Sequence, residues 1–584
     1  MWSKKFLPVI IGLMLSTGTP ARSADEAGAS DGGAAPAAQV ATAAPAAPAA
    51  EKAPAEGKAA ANSPASDAPV IPKALGVGSL FSDNAVLQQK KPIAVWGTDV
   101  PGRSVFVSLL NARATTKADK DGNWSITLPP QKVGGPYVLT IKDAKKQVIA
   151  NNVFIGEVWL CSGQSNMSLP IGYAKDSKDD IDSSTNPNLH LFGVTDRLSQ
   201  DPITTYEGSW QLAQPKSVRD FSAVAYYFGR RLQEELNCPV GIIWSSYAGT
   251  PIKVWMGTEA LENTHENTQV VLPANFVGIH AQWQKDVAAW EEKVADCRAK
   301  GLEEPAKPVL PSDFYAVSSA FNAMINPLIP YTIRGVAWYQ GESDTDQPGK
   351  YHKMFGCMLD DWRKRWNDPT LPFVYNQLPA FSTLATKPTE SMWADLREQQ
   401  LMCRRIPYTY MVESIDVCAP TGIKKETDGI MVMPDFNPAH GKFNNIDLHP
   451  REKKPVGTRL GNAALSAVYK KPIAYTGPIY DSMSIEGNKI RINFRYAEGG
   501  LISKDPEVKG FQIAGIDKKW VLADAKIDGE TVLVWNAQVQ NPVAVRYAWA
   551  AYPNVSIFNK AELPAAPFRT DKWIHVWSSK NAKL

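Results

Sequence analysis

The 584-residue chain lacks the features that mark several large functional classes. It has only six cysteines (Cys161, Cys238, Cys297, Cys357, Cys403, Cys418), and no two form a close CxxC pair. That spacing excludes a structural zinc module and a disulfide scaffold, leaving room for one or two bridges at most. The chain also carries no HExxH, no Walker phosphate loop and no Rossmann glycine fingerprint, so neither a cofactor nor a catalytic metal is expected. Charge of one sign is scarce: 62 Lys+Arg face 59 Asp+Glu, a net +3. So weak a field excludes nucleic acid and an anionic membrane as partners and favours a polar or neutral one. No segment reaches the roughly 18 apolar residues needed to span a bilayer, so no stable membrane insertion is expected.

The N-terminus reads as an export signal. Lys4 and Lys5 precede an apolar run from Phe6 to Leu15, and Ala21-Arg22-Ser23 forms a small-x-small cleavage site. No cysteine follows it to take a lipid anchor, so the destination is periplasm, cell surface or medium. Residues 24–74 are rich in Ala and Pro and contain no aromatic residue, a composition that buries too little to fold and predicts a disordered linker. Over residues 75–152, short alternating runs such as Val105-Phe106-Val107-Ser108-Leu109 are broken by turn signals, which predicts a small β-sandwich.

From residue 153 to 471 the pattern changes to apolar strands alternating with amphipathic helices, the mark of an α/β parallel sheet flanked by helices. Candidate strands are Val153–Leu160, Val240–Trp244, Gly335–Tyr339, Phe373–Leu378 and Tyr408–Val412. Helical spacing is clearest over Ala223–Leu236. A charged stretch at about 259–311 reads as an insertion. Strand and turn signals return over residues 472–584 and predict a C-terminal β-sandwich.

In parallel sheets, ligands bind beyond the carboxyl ends of the strands, so the residues just after each strand carry the chemistry. Cys161-Ser162-Gly163-Gln164-Ser165-Asn166-Met167 follows the first α/β strand and offers Ser165 as a nucleophile with its own N–H near a developing oxyanion. Far downstream, Asp447-Leu448-His449-Pro450 supplies a base, and in an extended segment Asp447 and His449 face the same side. Asp447 then orients the imidazole. Ser245-Ser246-Tyr247-Ala248-Gly249-Thr250 and Trp338-Tyr339-Gln340-Gly341-Glu342-Ser343 follow two further strands and add oxyanion donors in Gly249 and Gln340.

Cys161–Met167 with the preceding Gly156-Glu157-Val158-Trp159-Leu160, Trp338–Ser343 and Asp447–Pro450 resemble the sialate O-acetylesterases, a carbohydrate-esterase branch of the SGNH hydrolases. Leu80 to Gln88, Trp255-Met256, Arg397-Glu398 and Val456-Gly457-Thr458-Arg459-Leu460 extend the likeness from about Leu80 into the C-terminal unit. The resemblance implies an SGNH-like sheet in which Ser165 is the nucleophile, His449 the base and Asp447 its acid. The oxyanion hole would be formed by Ser165, Gly249 and Gln340. It also admits Glu342, from the Gln-Gly-Glu motif, as the alternative acid. Two departures stand out: Ala248 replaces a second glycine, and Ser168-Leu169 replaces an acidic-aromatic pair. The expected function is an exported serine esterase that removes O-acetyl groups from sialic acid or related sugars through an acetyl-enzyme. Acetylxylan or another plant polysaccharide is the alternative substrate. A carbohydrate-binding protein with an inactive hydrolase core is the alternative of another class. The sequence leaves the oligomeric state open.

Overall fold

The computed structural model describes residues 74–261, 317–417 and 448–573, apart from 200, 207 and 383, with scattered positions between 282 and 305. The expected export signal, nearly all of the Ala/Pro-rich linker, most of the 259–311 insertion, Cys418 and Asp447 lie outside the described residues.

One strand organises the first two-thirds of the molecule. β1, Gln147–Gly163, is 17 residues long, and its two halves live in different surroundings. Its first half alternates between exposed and buried positions and pairs antiparallel with Gly134–Lys142 in the N-terminal unit. From Ile155 to Gly163 every residue is buried, as expected of a strand covered on both faces. The strand runs without a break from one unit into the other, so the sheet it joins has eleven strands.

The α/β part of that sheet contains β2 (Asn186–Gly193), β3 (Trp210–Ala213), β4 (Val240–Ser246), β5 (Gly335–Tyr339), β6 (Phe373–Asn376) and β7 (Thr409–Val412). Their order is β3-β2-β4-β1-β5-β6-β7. All pairings from β2 to β7 are parallel, while β3 is antiparallel to β2. With the antiparallel strands of the N-terminal unit added, the sheet is mixed, not wholly parallel as its apolar strands predict. The parallel strands all deliver their carboxyl ends to one edge, and β1 lies between β4 and β5.

Five helices matter for the site: α1 (Ser165–Ser168), α2 (Ala223–Leu236), α3 (Tyr351–Arg365), α4 (Met392–Met402) and α5 (Lys453–Ala467). α2 shows why these residues form helices. The Ser222 hydroxyl accepts from the Ala225 N–H at 3.1 Å to cap its start, and Asn237 ends it in the left-handed conformation at φ 47°. Between the caps, Val224, Tyr227, Phe228 and Leu232 bury one stripe against the sheet.

The C-terminal unit is two four-stranded sheets, with Ile490, Ile492, Val532, Val534, Phe511, Ile513 and Val545 packed between them. It is clamped to α4 through arginines. The fully buried Arg397 donates to the carbonyls of Leu378, Pro379, Ala550 and Ala551. Arg569 grips Glu398 with two bonds, at 2.8 and 3.0 Å. Arg546 joins Asp571 and Glu390, both at 2.9 Å. The Arg397-Glu398 pair visible in the sequence is thus the socket for the C-terminal unit. Among the described residues no helix is long and apolar enough to cross a membrane, and five cysteines, Cys161, Cys238, Cys297, Cys357 and Cys403, are free.

Candidate active site

Ser165 opens α1 immediately past the end of β1, half-buried at the carboxyl edge of the sheet. The turn that presents it requires glycine. Gly163 has φ +139°, and a Cβ there would lie 2.0 Å from the Tyr339 carbonyl oxygen on β5. Only a residue without a side chain allows the two central strands to close so tightly before the chain turns. Gln164 then reaches across to the next strand end. Its Oε1 accepts from Gln340 Nε2, Gly341 N and Ser343 N at 3.1, 3.3 and 3.2 Å.

Gly249 lies in the loop after β4 at φ +72°, a left-handed position that suits glycine. Below it, Trp255 donates its indole N–H to Thr250 Oγ1 at 2.9 Å. Gln340 ties this loop to the nucleophile turn: its Nε2 lies 3.0 Å from the Thr250 carbonyl, 3.1 Å from Gln164 Oε1 and 2.6 Å from Asp344 Oδ2. An amide NH₂ has two hydrogens, so three acceptors occupy it fully. Gln340 therefore serves here as a strut between the loops, and it must release one acceptor to face an oxyanion. Asp344 also accepts from the Ile252 N–H at 2.9 Å, yet burial pushes its carboxyl up to about 7.

Glu342 is buried, 4% exposed. Its Oε1 accepts from Asn166 Nδ2, while its buried Oε2 has no hydrogen-bond partner among the described residues. Burial raises its pKa above the usual carboxylate range, against the lowering pull of Asn166 and of the Lys453 ammonium. Asn166 Nδ2 also donates to the Leu448 carbonyl at 3.0 Å, which brings the histidine segment to the nucleophile turn. His449 is half-buried there, and burial, helped by the nearby Lys453 charge, holds its imidazole down to about 4. The ring is thus neutral, the form a general base needs, over the whole neutral range.

The structure therefore gathers Ser165, Glu342 and the His449 segment around Asn166, with Gly249 and Gln340 on the two neighbouring loops that follow β4 and β5. Ser165 forms no side-chain hydrogen bond among the described residues. Such catalytic bonds commonly tighten only when substrate is present. Asp447 lies outside the described residues. Sequence reasoning missed the parts played by Gln164, Asn166, Asp344 and Lys453. The first two stand beside Ser165 in its own motif, whereas Lys453 is hidden in a charged run that reads as a solvated helix start.

A family model described as carbohydrate esterase, sialic acid-specific acetylesterase, matches residues 312–428. The sialate O-acetylesterase of Mus musculus is 27% identical over 553 residues, covering 85% of this chain and 95% of its own length. That of Homo sapiens is 25% identical over 546 residues, covering 85% and 93%. A solved structure described as a novel carbohydrate acetylesterase from Xanthomonas citri is 32% identical with a TM-score of 0.69. It covers 86% of this chain and all (100%) of that one.

Proposed function

The chain belongs to the sialate O-acetylesterase family of carbohydrate acetylesterases, carboxylic ester hydrolases that act on acetylated sugars, and from that premise we propose an exported serine esterase with Ser165 as nucleophile. The observation that carries this reading is the Asn166 side chain. It bridges the Glu342 carboxylate and the carbonyl preceding His449, so nucleophile turn, acid and base segment meet at one strand edge.

In this reading Ser165 Oγ attacks the acetyl carbonyl while His449 takes the hydroxyl proton. The oxyanion forms against the N–H groups of Ser165 and Gly249, with Gln340 as a third donor once it lets go of a present partner. Collapse breaks the bond to the sugar oxygen, His449 returns the proton to it, and the deacetylated sugar leaves. Water, deprotonated by His449, then attacks acetyl-Ser165, and acetate departs as the serine regains its proton. Glu342 and Asp447 remain the two candidates for the acid that orients the imidazole. The buried carboxylate of Glu342 supports the first, and the spacing Asp447-Leu448-His449 the second. An SGNH-type arrangement of the sheet belongs to the same proposal, as does export directed by Lys4, Lys5, the Phe6–Leu15 run and the Ala21–Ser23 site.

The test is acetate release from O-acetylated sialic acid and, in parallel, from acetylated xylan, by the wild type and by Ser165→Ala. Preference for sialate and loss in the variant support the full reading. Activity on xylan alone keeps Ser165 and replaces the substrate. Activity that survives in the variant removes the mechanism.

A further inference from the structure

The charged run Arg451-Glu452-Lys453-Lys454 leads into α5, and its members point in different directions. Arg451 Nε donates to the Tyr173 carbonyl at 2.7 Å. Glu452 pairs with Lys175 at 2.6 Å, and Lys454 reaches Asp180 at 3.0 Å. Lys453 turns inward instead. The residue is 1% exposed, and its ammonium lies 5.3 Å from the centre of the Tyr339 ring while donating to Asn166 Oδ1. That placement is costly twice over, because the lysine sits at the first position of a helix, against the positive end of its dipole, and its charge is removed from water.

One consequence of that placement is a hold on the Asn166 amide. With Asn166 Oδ1 held by the ammonium, Nδ2 faces the other way, where it donates to both Glu342 Oε1 and the Leu448 carbonyl. A flipped amide would set its oxygen against those two acceptors and its NH₂ against the ammonium, so the cation reinforces the one orientation that presents donors to Glu342 and Leu448. The contacts join positions 176, 282 and 287 residues apart in the chain. Among the described residues, the titratable and charged groups around this node are Glu342 and Tyr339 from the β5 end, His449, and Lys453 itself.

We infer that Lys453 is a positioning residue of the esterase: it fixes the orientation of the Asn166 amide, which in turn holds Glu342 and the His449 segment in place beside Ser165. The inference rests on the serine-esterase reading above.

The experiment compares wild type, Ser165→Ala, Lys453→Met and Lys453→Arg in the full chain, following hydrolysis of 4-nitrophenyl acetate from pH 4 to 9 together with thermal melts. Lys453→Met is expected to lower kcat about a hundredfold with little change in KM, the cost of a small misplacement at a reacting centre. The acid limb of its kcat/KM profile should move to higher pH, because removing a cation beside the imidazole favours the protonated ring. Lys453→Arg, which keeps charge and donors, should recover part of the rate. A Lys453→Met protein that folds and shows wild-type kcat and acid limb overturns the inference. So does a kcat loss that merely follows the folded fraction, with the acid limb unmoved. Should that variant fail to fold, Asn166→Ala cuts the same chain from the other side: an equal kcat loss is expected there, and wild-type kcat overturns the inference. Ser165→Ala separates the two readings. If it is inactive while Lys453→Met is unimpaired, only the role of Lys453 falls, whereas a fully active Ser165→Ala removes the serine reading itself.

Discussion

Two buried polar regions of this molecule differ in how completely their atoms are partnered. At the junction with the C-terminal unit, Arg397 donates to four carbonyls, and Arg569 and Arg546 engage Glu398, Glu390 and Asp571. At the carboxyl edge of the parallel strands, Glu342 Oε2 and Gln340 Oε1 have no hydrogen-bond partner among the described residues. Both regions bear the desolvation cost of burying polar groups, but the arginines of the first offset more of it through hydrogen bonds. A saturated network holds parts together, while a network with atoms left over keeps bonding capacity for something that arrives later.

Four measurements break or sharpen that contrast. The largest effect is expected from Ser165→Ala, which should lose at least about a thousandfold in kcat/KM while melting like the wild type. Next, Arg397→Leu strands four buried carbonyls, and a loss of about 3–5 kcal/mol in urea unfolding is expected, with the activity of the remaining folded fraction little changed. If Arg397→Leu instead impairs catalysis in fully folded protein, the division between clamp and site fails. Glu342→Gln should show the opposite pattern, losing about a hundredfold in kcat with stability equal or raised, since it removes a buried carboxylate whose second oxygen is unpartnered. Equal kcat in that variant assigns the orienting acid to Asp447.

The smallest effect comes from a buried ring far from the site. His190 on β2 is fully buried, with its Nδ1 bonded to the Asn84 carbonyl at 2.7 Å and the Pro187 backbone also engaging the ring. Burial holds its imidazole down to about 4, against an ordinary 6.5. Between those values the unfolded chain binds more protons than the folded one, so stability is full above about 6.5 and drains away as the pH falls toward 4. The loss attributable to this one ring is up to about 3 kcal/mol, and His190→Gln should flatten the slope in unfolding experiments at pH 7 and pH 4.5. Burial of a titratable ring at a strand centre thus yields acid sensitivity, whereas bonding capacity at the strand edge can meet a ligand.

The parts of this arrangement legible in the sequence are those governed by local pattern. Helix Ala223–Leu236 carries its caps and apolar stripe within its own residues, and strand Gly335–Tyr339 is a bounded apolar run; both form over the residues that the pattern predicts. β1 is longer than the apolar stretch Val153–Leu160 suggests, because its first half is a two-faced strand whose alternation belongs to the preceding unit. Strand Asn186–Gly193 and helix Lys453–Ala467 are hard to see for a related reason. The first contains Pro187, Asn188 and His190, and the second begins with a run of charge. Ser165 and His449 stand out by residue type and motif. Lys453 does not, since nothing near it in the chain tells that Asn166, 287 positions earlier, waits to accept its hydrogen bond.

The unbroken run of β1 has a mechanical consequence. Its seventeen residues form two extended arms that meet at Asn152, which bends the strand at φ 54°, with one arm in the N-terminal unit and the other ending under the nucleophile. The paired backbone on either side of that bend still ties the N-terminal unit to the reacting edge, so the turn that presents Ser165 is anchored through hydrogen-bonded strands of both units.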